Sequence, residues 1–406
     1  ILALGRELAI ARREARRLAG VVNGLQRQVD TLSDGDHTAE QACSTLRDWF
    51  EKALADASQS PEDDDGLAKE AFLRVMAAQV RILPSGHEFL IEGSDSILEA
   101  GLRGGLALNY GCSNGNCGLC KARVCSGQVK KIQPHDYVLS EAEKSLGYIL
   151  TCSNTAVTDV VLEADEAFGS QDIPPQEIEI RVKKIEQPDD RVIMLHAKTP
   201  RTSRLRFLAG QYLNLDLGNG LRLDCAIASC PCDDMNLQFH VPTVAGNPFS
   251  EHLASTTRVN DTITIRGPAG DFTLNEDSPH SLAFIAVDAG FAPVKSLIEH
   301  AMALDIAEHI HLYWIATPGN SHYLGNLCRS WVDALDNFHY TALKTSGDTT
   351  VAELLPGITG DLDSVAAHDC YVCAPAPLLD GIQTYLHDAG LPRSQLRLEP
   401  VREEIS

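Results

Sequence analysis

Long apolar runs are missing from this sequence. No stretch of about 18 apolar residues occurs, so nothing in the 406 residues reads as a membrane-spanning helix. No leader with a basic start, an apolar middle and a small-residue cleavage site opens the chain. The chain begins at Ile1, and an upstream segment that anchors it at a membrane face is compatible with that start. Positive charge is scarce as well: 34 Lys and Arg stand against 56 Asp and Glu, a formal charge of −22. Such a surface repels phosphate backbones, which argues against nucleic acid as a partner. It keeps a chain soluble, and it suits docking to a basic partner protein. Twelve cysteines are too few for a disulfide-built scaffold of this length. Four stand at metal-ligand spacing. The other eight are expected as reduced thiols of a cytoplasmic protein.

What is present is enough apolar sequence, 44%, for several cores. Leu4, Leu8, Ala11, Ala15, Leu18, Val22, Leu25, Val29 and Leu32 alternate spacings of four and three, an a/d seam. With a second helix carrying Ala42, Leu46, Trp49, Ala53 and Ala57, residues 1–60 read as a helical hairpin or coiled-coil arm. The hairpin is either self-contained or a docking arm for another subunit. The acidic run at 61–74 reads as a linker. Short strands follow: Val80–Leu83 and Glu88–Ile91 flank Pro84-Ser85-Gly86 as a hairpin, and 96–102 reads as a short helix. From Glu177 to about Leu274, alternating strands with turn signals predict an antiparallel barrel. From Ser281 onward, strands and helices alternate, which predicts a doubly wound parallel sheet. The fold class expected is therefore multidomain, α+β and α/β.

Cys112, Cys117 and Cys120 lie in one loop with C-x4-C-x2-C spacing, and Cys152 follows after a helical stretch. This is the spacing of plant-type two-iron ferredoxins. Three thiolates from one loop must converge on a rhomb only a few ångströms across. Glycines at 111, 115 and 118 let the backbone bend and aim its N–H groups at the sulfur atoms. Zinc would explain the x2 pair but neither the x4 gap nor the glycines. The ligands expected for a [2Fe–2S] cluster are Cys112, Cys117, Cys120 and Cys152, and a two-iron cluster passes electrons singly at about −400 mV. Cys125 reads as a buried strand cysteine rather than a fifth ligand.

From about Val75 to its end the chain resembles the flavin-dependent NADH:acceptor reductases of oxygenase systems. In that family a plant-type ferredoxin domain is joined to a ferredoxin–NADP reductase-like pair. The resemblance implies a β-grasp ferredoxin domain at 75–168, an FAD-binding-like β-barrel at 176–276 and an NAD(P)-binding-like α/β domain at 279–406. It rests on the cysteine motif, Gly210-Gln211-Tyr212, Gly246-Asn247-Pro248-Phe249-Ser250, Gly267-Pro268-Ala269-Gly270-Asp271-Phe272, Gly290-Phe291-Ala292-Pro293 and Tyr371-Val372-Cys373. The cofactor-binding positions it implies are Gly246, Ser250, Gly267, Gly290 and Cys373, with FAD in the barrel and NAD(P)H on the last domain. It implies a redox partner protein.

The sequence departs from the family at the cofactor contacts. The family's flavin strand reads R-x-Y-S. With Ile227-Ala228-Ser229 as its tail, the matching positions are Leu223, Asp224, Cys225 and Ala226. Leucine cannot pair with a pyrophosphate and cysteine offers no ring. Arg222 is one residue out of phase, on the opposite face of a strand. The nicotinamide turn reads Val287-Asp288-Ala289-Gly290, where Asp288 would repel phosphate. The expectation from these changes is an electron-transfer subunit with no catalytic residues. Its reductase-like module would have lost FAD and NAD(P)H and would serve docking, and the N-terminal helices would fasten it to a larger complex. The alternative is an active NAD(P)H- and FAD-dependent reductase that feeds an oxygenase or other acceptor. Cys225, Cys230 and Cys232 read as incidental thiols, and the histidines at 300, 309 and 311 as satisfied or solvated.

Overall fold

The computed structural model describes residues 78–402, apart from 92–94, 135–136, 219, 245 and 347–349. The expected N-terminal arm and linker lie outside the described residues. No helix among the described residues is long and apolar enough to cross a membrane.

The first sheet opens with β1 (Ala78–Leu83) and β2 (Glu88–Ile91), the hairpin expected around Gly86. Val80 and Ile82 point inward while Arg81 stays out, the period-2 signature of a half-buried strand. Helix α1 (Ile97–Arg103) starts at Ser96, whose side chain accepts from the Glu99 N–H, and it buries Ile97, Leu98 and Leu102. Then follow β3 (Lys121–Ser126), β4 (Val129–Lys131), the short α2 (Glu141–Ser145), β5 (Tyr148–Leu150), β6 (Asn154–Ala156) and β7 (Val160–Glu163). The strand order β2-β1-β7-β3-β5, with β1 and β7 parallel, gives a mixed sheet that grips α1.

Six longer strands form the second sheet: β8 (Gln176–Asp189), β9 (Val192–Lys198), β10 (Tyr212–Asp216), β11 (Arg222–Ala226), β12 (Asn236–Pro242) and β13 (Thr262–Ala269), with α3 (Pro248–Ser255) between the last two. All pairings are antiparallel, in the order β11-β10-β13-β8-β9-β12. A bridge from Ile227 to Phe239 brings the two edge strands together, so the barrel is nearly closed. Ile178, Ile180, Ile263 and Ile265 fill it, and α3 caps it with Phe249 and Leu253.

The last sheet is wholly parallel. It comprises β14 (Ser281–Val287), α4 (Phe291–Leu304), β15 (Ile310–Ala316), α5 (Gly325–Ala334), β16 (Phe338–Lys344), α6 (Val351–Asp361), β17 (His368–Ala374), α7 (Ala376–Asp388) and β18 (Leu396–Pro400). The order is β16-β15-β14-β17-β18. One face buries Phe284, Trp314 and Tyr371 beneath α4 and α5. The other buries Ile285, Tyr313 and Val372 beneath α6 and α7. Burial on both faces explains the unbroken apolar run of β14.

Candidate functional site

The cysteine loop runs between α1 and β3. Gly115 and Gly118 hold φ near +79° and +78°, which a side-chain-bearing residue resists. These turns bring the four sulfurs into two pairs. The Cys117 N–H donates to Cys112 Sγ at 3.4 Å, and Cys120 Sγ lies 3.3 Å from Cys152 Sγ. Cys112, Cys120 and Cys152 are buried, and Cys117 reaches the surface. Backbone N–H groups converge on the sulfurs: Asn114, Asn116 and Cys117 toward Cys112, Leu119 toward Cys117, and Gly115 toward Cys152. Burial works to raise the Cys112 thiol, but these N–H groups outweigh it and hold it below its usual range. The hydrogen bond with Cys120 brings Cys152 down to about 6, against the effect of burial. Two sulfurs per metal, with N–H donors facing thiolates, is the donor set a two-iron cluster requires. Cys125 lies on β3 as expected, but it is exposed rather than buried, because it stands in a bulge between Val124 and Ser126 where the pairing with β7 shifts register.

The loop is fastened to the barrel by the segment ahead of β10. Ser113 N–H donates to the Arg201 carbonyl at 3.1 Å, and Arg204 N–H to that of Gly111 at 2.8 Å. The Tyr110 hydroxyl donates to the Leu205 carbonyl at 3.2 Å. Arg204 is only 2% exposed. Its Nε donates to Asp234 at 2.7 Å, Nη2 also reaches Asp234, and Nη1 reaches Glu99 of α1 at 2.7 Å. Sequence reading missed this buried network. Its only local sign is the charge of Arg204 and Arg206 inside an otherwise apolar stretch.

On β11 the alternation runs opposite to the one assumed from the motif. Leu223 and Cys225 point into the barrel core, at 1% and 3% exposure, and burial pushes the Cys225 thiol up to about 12. The outward face carries Arg222, Asp224 and Ala226, beside Tyr212, Asn214 and Asp216 of β10. Leu223 and Cys225 are thus core residues, and a cofactor on the outer face would meet neither. An arginine does stand on the outer one. Arg222 Nε donates to Asp216 at 2.9 Å, and Asp224 accepts from Asn214 at 2.8 Å. The Arg402 guanidinium lies 3.4 Å from the centre of the Tyr212 ring.

Of the other expected cofactor positions, Gly246 and Ser250 share the start of α3, capped by Asn247. The Ser250 hydroxyl donates to the Asn247 carbonyl. Gly267 packs against Leu213 in the barrel wall. Gly290 and Cys373 adjoin: a Cβ on Gly290 would stand 2.3 Å from the Cys373 carbonyl oxygen. Asp288 is not a free charge aimed at the turn. Its carboxylate accepts from the Thr317 N–H at 2.8 Å and hydroxyl at 2.6 Å, and Arg191 adds a compensating positive charge. Arg191, on the β8–β9 turn, approaches Gly319 at the end of β15. It brings a cation to Asp288 from a distant part of the chain. The expectation of eight reduced thiols is also corrected, because Cys230 and Cys232 form a disulfide.

Two known domain families match the sequence. The 2Fe-2S iron-sulfur cluster binding domain covers residues 80–157, and the oxidoreductase FAD-binding domain covers 178–274. The CDP-6-deoxy-L-threo-D-glycero-4-hexulose-3-dehydrase reductase of Yersinia pseudotuberculosis is 28% identical over 79% of this chain and 97% of its own length. Protein RfbI of Salmonella typhimurium is 30% identical over 75% of this chain and 91% of its own. The reductase component of propane 2-monooxygenase from Mycolicibacterium smegmatis is 26% identical over 77% and 94%. Among solved structures, the Amycolatopsis cytochrome P450 reductase GcoB shares the fold, with a TM-score of 0.51 at 21% identity over 80% of this chain and 98% of its own. Full-length similarity to reductase components does not support a module that has given up its cofactors. With the cysteine loop, the barrel and the parallel sheet in one chain, the protein belongs to the family in which a [2Fe–2S] ferredoxin domain is fused to a ferredoxin–NADP reductase-like module.

Proposed function

We propose that the protein is an NAD(P)H- and FAD-dependent reductase that passes single electrons through a [2Fe–2S] cluster to a protein acceptor, such as the oxygenase components that some of its relatives are named for. The observation that carries this reading is the outward face of β11. It puts Arg222, 50% exposed and held to Asp216 through Nε, on the side a phosphate would approach, while Leu223 and Cys225 are spent on the core. Cys112, Cys117, Cys120 and Cys152 hold the cluster, and the surrounding N–H groups offset its negative charge. Residues 75–168 serve as the electron-exit domain, 176–276 as the flavin domain and 279–406 as the nicotinamide domain. Gly246 and Ser250 at the start of α3 and Gly267 in the wall border the flavin site. Gly290 and Cys373 border the nicotinamide site, and Arg191 offers the charge for a nucleotide phosphate. Bound FAD would supply the conversion of a two-electron hydride delivery into single-electron steps. The protein's own contribution is to fix the cysteine loop rigidly against the barrel through Arg204, so the separation between the two redox sites does not drift.

The test is anaerobic addition of NADH, then NADPH, to iron-replete protein supplied with FAD, followed by EPR. A reduced-cluster signal within seconds to minutes supports the proposal. A cluster reduced only by dithionite would sink it. That outcome would favour the electron-transfer subunit without flavin, a reading to which Asp224, on the outer face beside Arg222, lends its one specific support.

A further inference from the structure

Four histidines gather at the end of the parallel sheet where its strands begin. The candidate nucleotide turn lies at the opposite end, where they finish. His311 and His339 are register partners on the adjacent strands β15 and β16. His309 precedes His311 by two residues, so in extended chain it lies on the same side. His368 opens β17. All four lie on the face covered by α6 and α7. Ring centres are 4.6 Å apart for His311 and His339, 5.9 Å for His309 and His339, 6.4 Å for His309 and His311, and 5.4 Å for His311 and His368. Tetrahedral imidazole ligation with metal–nitrogen bonds of about 2.0–2.1 Å sets ring centres roughly 5 Å apart.

The donor chemistry agrees with that spacing. Among the described residues no hydrogen bond engages the ring nitrogens of His309, His311 or His339. The Nδ1–H of His368 donates to the Ser364 carbonyl at 2.8 Å. That bond leaves Nε2 of His368 as a lone pair, in the way outer-shell carbonyls orient ligating histidines. Asp361, at the end of α6, is the carboxylate near enough to His311 to act on it. As placed, His311 and His339 stack with 24° between their planes, and no three donors among the described residues yet surround one point. His309 and His339 are exposed, so their side chains are free to turn inward.

We propose that His309, His311 and His339, with His368 completing the set, form a binding site for a divalent transition cation of the zinc class, remote from the electron path. H-x-H on one strand and a histidine opposite on the next is a compact way to point three imidazoles at one ion. Imidazole donors select zinc, copper and nickel over magnesium or calcium. The ion would tie β15, β16 and β17 together at the sheet's open edge. This inference does not depend on the proposed reductase activity.

The experiment is calorimetric titration of Zn²⁺ into iron-replete full-length protein without a polyhistidine tag, repeated on His339→Ala and on the His309→Ala/His339→Ala double variant. Both positions are exposed, and an unchanged cluster absorbance spectrum confirms that each variant is folded. One zinc per chain is expected in the parent protein, with affinity lowered at least about tenfold in the single variant, since even outer-shell losses cost 10–100-fold. In the double variant binding should vanish, and so should the zinc-induced rise in melting temperature. Absence of zinc binding to the parent protein would overturn the proposal. Equal affinity and stoichiometry in the double variant would overturn it too, because the zinc would then sit elsewhere, the cysteine loop included.

Discussion

Arg204 of the barrel reaches Glu99 of the iron–sulfur body across 2.7 Å while Asp234 grips the rest of its guanidinium. The two halves of this arrangement differ in burial. Arg204 and Asp234 are almost fully enclosed, whereas the Glu99 side chain is 43% exposed. Replacing Arg204 by Ala strands the Asp234 carboxylate in the interior, which typically costs about 3–5 kcal/mol. Glu99→Gln keeps a hydrogen-bond acceptor at a hydrated site and should cost less than about 1 kcal/mol. Urea unfolding of the two variants, followed by circular dichroism, should therefore separate them widely. Equal losses would mean that Glu99, not Asp234, is the partner that matters.

The face assignment on β11 gives a second contrast. If Arg222 meets a phosphate of bound FAD, Arg222→Leu loses a charge-assisted hydrogen bond worth about 1.5–3 kcal/mol, or roughly 10–150-fold in affinity. Cys225→Ala should leave flavin affinity unchanged and lower stability instead, since the thiol fills the barrel core. Asp224→Asn removes a negative charge from the same outer face and should tighten flavin binding. Titration followed by flavin fluorescence measures all three. An Arg222→Leu variant with parental affinity would remove the main support for a flavin site here.

Distance along the chain separates what was legible in the sequence, such as the cysteines, from what was not. Cys112, Cys117 and Cys120 are constrained by a loop of nine residues, and its glycines show the required turns directly. Strands such as 282–287, and helix α4 after it, announce themselves by apolar runs and periodicity. In Arg222-Leu223-Asp224-Cys225-Ala226 polar and apolar residues alternate, which already points Leu223 and Cys225 inward, and the family motif placed on Ile227-Ala228-Ser229 ran against that signal. Arg191 beside Asp288, Arg204 beside Glu99 and His311 beside His339 are instead products of register and packing. No local pattern encodes them.

Cys125 and Cys152 test the ligand set. Both are cysteines near the cluster loop in sequence, but only Cys152 has its sulfur against Cys120. Cys152→Ser should yield protein with sharply reduced iron and visible absorbance. Cys125→Ser, at an exposed strand end, should retain both at parental levels. Iron analysis after anaerobic purification decides the point, and a colourless Cys125→Ser protein would require a different set of four.

His240 sets a pH dependence of stability. It is buried and bonded to the Tyr323 hydroxyl at 3.0 Å. Burial first, then the charges of Lys295 and His196, hold its pKa well below the usual value of 6.5. Below that value the unfolded chain takes up a proton that the folded chain refuses, so stability rises with pH across this window and falls on acidification. The limit for one such group is about 1.4 kcal/mol per pH unit. His196, also shifted downward, adds with the same sign. Melting temperature should drop between about pH 7 and pH 5.5, and His240→Gln, which cannot titrate, should show a shallower drop.

Two glycines at the proposed cofactor sites are there for different reasons, and alanine should tell them apart. Gly290 has an ordinary helical conformation, but a Cβ there would meet the Cys373 carbonyl at 2.3 Å, so the first turn of α4 would have to move off β17. Gly246 has open space around it and φ near +77°, so alanine there meets no neighbour and suffers only left-handed strain of about 1–2 kcal/mol. Gly290→Ala is expected to destabilise by about 1–3 kcal/mol through overpacking. It should also raise the KM for NAD(P)H, because the turn and Cys373 would part. Gly246→Ala should leave that KM unchanged. Steady-state reduction of ferricyanide by each variant, alongside its unfolding curve, measures both effects. A Gly290→Ala enzyme with an unaltered KM would mean that the close approach to Cys373 serves packing alone.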